Sequence, residues 1–118
     1  MKLYIQGDVF LVQIDNLPQA AVKVQKSSKG HVLAEGEHSG HSHIATGEEV
    51  FLYEADGTLY LSVNNSAGAT ITHEEHHAVH VPKGKYKVGI VRQYDHLTEE
   101  KYIDALRKAS PTIRKVED

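Results

Sequence analysis

Residues 50–63 read VFLYEADGTLYLSV, and this stretch decides the fold class. Two runs rich in β-branched and aromatic residues flank Asp56-Gly57, and an Asp-Gly pair between β-prone runs is the strongest short-range signal for a β-hairpin. On both sides of this hairpin, further short apolar runs are separated by turn residues at intervals of about ten positions, a spacing typical of β-sandwiches and barrels. The sequence therefore predicts an all-β fold.

This pattern predicts a single small β-barrel or β-sandwich over residues 1–96, followed by one C-terminal helix over residues 97–110 that packs on it. Thr98 is a suitable N-cap, and acidic residues follow it in the first turn. The apolar stripe of the helix has spacings of three and four and consists of Tyr102, Ile103, Leu106 and Ala109. Residues 111–118 are predicted to form a loose charged tail.

The composition of the 118 residues excludes several classes of protein. There is no cysteine, so disulfides, thiolate zinc sites and cysteine nucleophiles are ruled out. No stretch approaches the roughly 20 apolar residues of a membrane span, and the apolar run at the N-terminus is too short for a signal peptide. We expect a cytoplasmic protein with no membrane partner. A formal net charge of −3 gives no general reason to expect nucleic-acid binding.

Seven of the nine histidines lie in two short windows, residues 38–43 and 73–80. Histidine is the commonest protein metal ligand and titrates near neutral pH. If residues 40–46 are extended, His41 and His43 share one face with Cα atoms about 7 Å apart, so both imidazoles can bind one ion. The chain between the windows is long enough for a hairpin to bring the second window back to the first. The two windows therefore predict a metal or proton-handling site.

We predict His41, His43 and His76 as the core ligands, with His73 or Glu75 as the fourth. Zinc is the first expectation for the divalent transition metal, and iron, manganese and nickel are alternatives, because histidine and carboxylate ligands suit all four. A site of this kind with an open position can activate water, and Glu75 is our candidate general base. The chain is thus predicted to be a histidine-rich metal-binding β domain that is either a binding protein or a small metalloenzyme acting on a small molecule.

Other interpretations of the same residues stay open. The histidines can be solvated polar side chains, a metal-free site in which His41 or His76 acts as acid or base, or a pH switch, since their protonation would reverse the sign of the net charge. Residues 73–77 match H-E-x-x-H, but their flanks are β-prone, whereas the protease motif requires a helix. The main alternative is a non-enzymatic phage or plasmid accessory module without metal, which forms a homo-oligomer through exposed strands.

One resemblance is to the cupin superfamily of small β-barrels. The order of the first cupin motif, G-x5-H-x-H-x3,4-E-x6-G, is followed with small differences in spacing by Gly36, His41, His43, Glu48 and Gly57. The segment Pro82-Lys83-Gly84 is similar to the P-x-G of the second motif, although Lys87 stands where that motif has a histidine. The resemblance implies a jelly-roll-like barrel with a metal and identifies no substrate.

A second resemblance covers nearly the whole chain and is to a group of small bacterial and phage proteins of unknown function. The similar segments begin at Gln6-Gly7-Asp8-Val9, Val32-Leu33-Ala34-Glu35, Thr72-His73-Glu74-Glu75 and Pro82-Lys83-Gly84-Lys85. The pattern of the group singles out Gly40, His41, His43, His73, Glu75, His76, Tyr86 and Arg92. It implies that His41, His43, His73 and His76 matter more than His38, His77 and His80.

Overall fold

A computed structural model describes residues 2–35 and 41–90, which form ten strands in two antiparallel sheets. The strands are β1 Leu3–Gln6, β2 Val9–Ile14, β3 Val22–Val24, β4 His31–Glu35, β5 Ser42–Thr46, β6 Val50–Ala55, β7 Thr58–Val63, β8 Ala69–Thr72, β9 Val79–Val81 and β10 Gly84–Ile90. The larger sheet has the order β1-β2-β10-β7-β6-β3, and the smaller has the order β4-β5-β8-β9. The predicted helix and charged tail lie outside the described residues.

The two sheets pack face to face over one main core. Its buried residues come from both sheets and include Val9, Leu61 and Tyr86 from the larger and Leu33 and Ile71 from the smaller. In the described part of the chain, neither sheet closes on itself and no strand of one pairs with a strand of the other. The expected all-β fold is confirmed, and of the two architectures predicted, barrel or sandwich, the described residues form two antiparallel sheets that do not close into a barrel.

The predicted hairpin at residues 50–63 is confirmed as β6 and β7. The two strands pair from Val50 with Val63 to Ala55 with Thr58. Asp56 and Gly57 connect them with positive φ angles of 50° and 78°. Positive φ at both central residues is the hallmark of a type I′ turn, whose twist matches that of the flanking strands. The local sequence therefore specifies this turn, and with it the register of the larger sheet on that side.

Strand β10 is the long central strand of the larger sheet, between β2 and β7. Tyr86 and Val88 are buried on one face of this strand, and Ile90, which alternation places on the same face, is 37% exposed. The Tyr86 hydroxyl donates a hydrogen bond of 2.6 Å to the carbonyl oxygen of Pro82. Burial raises the pKa of Tyr86 far above its usual value, so the hydroxyl remains protonated and continues to donate this bond.

Gly89 on β10 allows the Phe10 ring to pack directly on the backbone. The two residues are register partners, and a Cβ added to Gly89 would lie 2.0 Å from Cζ of Phe10. The ring would have to leave its position, so we expect Gly89→Ala to destabilise the fold by about 1–3 kcal/mol, as other overpacking substitutions do. Urea denaturation of the variant measures this loss.

Phe10→Ala provides the matched background for this experiment, because it removes the ring that the new methyl group would strike. In that background, Gly89→Ala should have little further effect on the free energy of unfolding. An equal loss in both backgrounds would show that the backbone, and not the Phe10 ring, imposes glycine at this position.

Candidate metal centre

Sheet pairing brings the two histidine windows together. Strands β5 and β8 are neighbours, and Ile44 pairs with Thr72, so the chain positions just beyond this pair place His43 beside His73. The β1–β2 turn, which carries Asp8, approaches the same point from the larger sheet. Three segments that are distant in the sequence thus meet at one end of the sandwich, as the predicted site requires.

The four predicted histidine ligands form one connected cluster. Their ring centres are 5.7 Å apart for His41 and His73, 4.2 Å for His43 and His73, 4.7 Å for His73 and His76, and 6.0 Å for His43 and His76. Imidazoles that share one tetrahedral ion at about 2.0–2.1 Å have ring centres about 5 Å apart. The four separations lie on either side of that value, and in the described part of the chain His41, His73 and Glu74 are the group whose ligand atoms all lie within 4.8 Å of one another.

The buried side chain of Gln6 fixes the orientation of His43. Its amide nitrogen donates hydrogen bonds to the carbonyl oxygens of Ile71 at 3.0 Å and His77 at 2.8 Å. The amide oxygen must then face His43, and it accepts a hydrogen bond of 2.8 Å from Nδ1. The proton of neutral His43 is therefore on Nδ1, and Nε2 carries the lone pair.

Asp8 faces that lone pair. Its Oδ1 is 3.3 Å from Nε2 of His43, whose side chain is 4% exposed. Burial is the main reason that the pKa of His43 lies below its usual value, and the positive charge of nearby His73 acts in the same direction, whereas Asp8 raises the pKa. At neutral pH the neutral form of His43 thus presents an acceptor nitrogen to a carboxylate oxygen, which is also an acceptor.

Glu75 makes contacts with two of the histidines. Its Oε1 is 2.6 Å from Nδ1 of His41, so that nitrogen carries a proton, and in the neutral tautomer that this contact selects Nε2 carries the lone pair. Its backbone N–H donates to Nδ1 of His73 at 3.1 Å. If His73 is to bind a metal through Nδ1, this bond must open, at a cost near the roughly 1 kcal/mol that a hydrogen bond contributes.

Glu74 contributes a carboxylate next to His41 and His73. One ligand atom from each of these three residues lies within 4.8 Å of the other two. The backbone N–H of Ser42 donates to both oxygens of Glu74, at 3.2 and 3.3 Å. This backbone hydrogen bond is the main reason that the pKa of the Glu74 carboxyl lies below its usual range, so the group is ionised at neutral pH.

Gly7 provides the space that His76 occupies. It has a positive φ of 60°, and a Cβ placed on it would lie 2.6 Å from Nε2 of His76. The imidazole of His76 therefore lies against Gly7 in the β1–β2 turn, and Gly7 is followed in the sequence by Asp8. Any side chain at position 7 would displace this ring and would also strain the backbone.

The remaining histidines are in different surroundings. His31 is buried away from this cluster, and its Nε2 donates to the carbonyl oxygen of Val50 at 2.7 Å. His77 and His80 are exposed, and Nε2 of His80 donates to the carbonyl oxygen of Ala67. His38 lies outside the described residues.

The residues from the β1–β2 segment were not among the site residues predicted from the sequence. Gln6 orients His43, Gly7 makes room for His76, and Asp8 faces Nε2 of His43. The signal that could have identified them was the segment Gln6-Gly7-Asp8-Val9, which belongs to the second resemblance. No property of that segment alone indicates that it approaches histidines more than 30 positions away.

Comparison with known proteins yields one family. A family model described as a domain of unknown function (DUF8820) matches residues 5–93. The match includes all of the cluster described above. No curated protein and no solved structure matches the chain. In the described residues there is no helix that is long and apolar enough to span a membrane.

Proposed function

The chain belongs to this family of domains of unknown function, and we propose that it binds a divalent transition metal through His41, His43, His73 and His76. Zinc is the first choice, with iron, manganese and nickel as alternatives. The observation that carries the proposal is the contact between Nε2 of neutral His43 and Oδ1 of Asp8 at 3.3 Å. These two acceptor atoms repel each other unless a proton or a metal ion lies between them.

The surroundings of the histidines support a metal ion, rather than a proton, between Nε2 of His43 and Oδ1 of Asp8. Metal-binding histidines usually donate their second ring N–H to a carboxylate, a carbonyl group or water, which fixes the tautomer. His43 donates Nδ1–H to Gln6, and His41 donates Nδ1–H to Glu75. Burial also keeps His43 neutral, which is the form that binds metals. Two histidines thus present Nε2 lone pairs with their second nitrogen already engaged.

The types of ligand favour the metals named. Neutral imidazoles with one or two carboxylates suit zinc, iron, manganese and nickel, whereas the chain has no thiolate to select a soft ion. A metal in such a site with an open position acidifies bound water, which is the basis of many hydrolases. We propose Glu75 as the general base in that case, since its side chain is 64% exposed and can exchange protons with solvent.

The metal-free oligomerising module stays a prediction. One described feature favours it: Val22 is 68% exposed on β3, the short edge strand of the larger sheet. An exposed apolar side chain on an unpaired edge is a feature of strands that associate with other chains. Metal content separates the two hypotheses directly, because the module requires none.

Elemental analysis of the untagged protein, purified at neutral pH, tests the proposal. We expect at least one equivalent of a transition metal per chain, and the same content in His77→Ala, which removes an exposed histidine of the same window. Protein stripped with EDTA should take up zinc again in competition with a chromophoric chelator. The proposal fails if the chain holds no metal after supply of zinc, iron, manganese and nickel.

A further inference from the structure

We propose that the cluster binds two metal ions, one held by Asp8, His43 and His76, and the other by His41, His73 and Glu74. This inference rests on the proposed function, since it requires that the cluster binds metal at all. We call the first set the turn subsite, because Asp8 lies in the β1–β2 turn, and the second the strand subsite, because its residues flank β5 and β8.

The number of donor groups exceeds the needs of one ion. Oε1 of Gln6 and Oε1 of Glu75 already bond to Nδ1 of His43 and His41, so we assign these two groups to orienting the histidines rather than to holding an ion. Six groups remain, namely four imidazoles and the carboxylates of Asp8 and Glu74. A tetrahedral zinc ion takes four ligands, and catalytic sites use three from the protein with one position open. Six donor groups are therefore enough for two metal sites with three protein ligands each.

One pair of donors in the turn subsite, Asp8 and His43, has the spacing of two ligands on one ion, and His76 would have to move towards them to complete the set. Two ligand atoms at about 2.0–2.1 Å from a tetrahedral ion are about 3.3 Å apart, which is the spacing between Oδ1 of Asp8 and Nε2 of His43. The third member, His76, has its Nε2 against Gly7, the residue that precedes Asp8. Its ring lies nearly parallel to that of His43, with an angle of 16° between their planes.

The strand subsite is a separate group of donors. His41, His73 and Glu74 each offer one ligand atom within 4.8 Å of the other two. The bond from His41 Nδ1 to Glu75 leaves Nε2 as the ligand atom of His41. The carboxylate of Glu74 is held in place by the backbone N–H of Ser42, the residue that separates His41 from His43. Each subsite thus has one carboxylate and two imidazoles.

The two subsites are close enough for their ions to act together. His73 of the strand subsite has its ring centre 4.2 Å from that of His43 and 4.7 Å from that of His76, both in the turn subsite. In enzymes with two metals, ions about 3.5–4 Å apart stabilise the attacking and the leaving oxygen of one displacement. Two ions held at that separation would supply the chemistry for hydrolysis at a phosphorus or carbonyl centre.

Metal stoichiometry after zinc loading of the untagged full chain tests the inference. We expect two equivalents in the unaltered protein and in His77→Ala, and one equivalent in either Asp8→Asn or Glu74→Gln. Both substitutions preserve side-chain size at exposed positions, and circular dichroism checks that the sheets remain. Two equivalents of manganese should in addition give the exchange-coupled electron paramagnetic resonance spectrum of neighbouring ions.

The outcomes separate the two proposals. A single equivalent in the unaltered protein would overturn the two-ion centre and leave the proposed function intact. Two equivalents with uncoupled manganese spectra, or two equivalents retained in both carboxylate variants, would also overturn it, since the ions would then lie elsewhere or apart. Absence of metal under all loading conditions would overturn the proposed function itself.

Discussion

The double variant His41→Ala/His76→Ala is expected to lose metal binding while it keeps its fold. The variant removes one imidazole from each subsite, so neither set retains three donors. We expect zinc affinity to fall by at least about 100-fold, because loss of even an indirect partner of a metal ligand typically costs 10–100-fold. Competition titration with a chromophoric chelator measures the affinity.

The fold should tolerate this double substitution. The side chain of His41 is 32% exposed and His76 lies at an exposed position, so neither fills the core. Urea midpoints measured in EDTA should therefore differ little from that of the unaltered chain. The matched control is His77→Ala/His80→Ala, which removes two exposed histidines of the second window and should bind zinc normally. Retention of stoichiometric, tight zinc by the His41/His76 variant would exclude the cluster as the metal site.

Gln6→Leu is expected to affect both stability and metal binding. Leucine fills nearly the same space but makes none of the three hydrogen bonds of Gln6 with Ile71, His77 and His43. Since buried groups left without partners cost about 1–3 kcal/mol each, and some will find water, we expect a loss of about 2–5 kcal/mol in the free energy of unfolding. Zinc affinity should also fall about 10–100-fold, because the tautomer of His43 is no longer fixed.

The matched control for this experiment is Gln13→Leu, the same substitution at a half-buried position on the neighbouring strand β2. It should change stability by less than about 1 kcal/mol, as is usual for positions outside a buried hydrogen-bond network. Urea denaturation in EDTA separates the stability effect from metal binding, which is then measured with zinc. Equal effects of the two substitutions would refute the role given to Gln6.

Sequence patterns correctly predicted those parts of the fold that depend on neighbouring residues. The type I′ turn at Asp56-Gly57 follows from residues adjacent to it, and the buried face of β10 follows from alternation at Tyr86 and Val88. The arrangement of two open sheets does not, because it depends on pairings such as β2 with β10, whose partners are far apart in the sequence. Alternating strands are equally compatible with a barrel and a sandwich.

The candidate site shows the same division. The two-residue spacing of His41 and His43 on an extended strand predicted that they share one face. Pairing of β5 with β8 brings His73 and His76 close to them. Gln6 and Asp8 could not be identified in this way, since a glutamine at the end of a strand and an aspartate in a turn are ordinary surface features. Their roles depend on where the carbonyl groups of Ile71 and His77 come to lie after folding.

The candidate metal cluster lies between the two sheets of the protein. Gln6 and Asp8 extend from the larger sheet, whereas His43 and His73 extend from the smaller, so bound metal would fasten one end of the sandwich. In a chain without cysteine, such a metal link would take the place of a disulfide between the layers. A ligand at 1,000 times its dissociation constant adds about 4 kcal/mol to stability. The stability of the packing between the two sheets would then depend on the concentration of free metal around the protein.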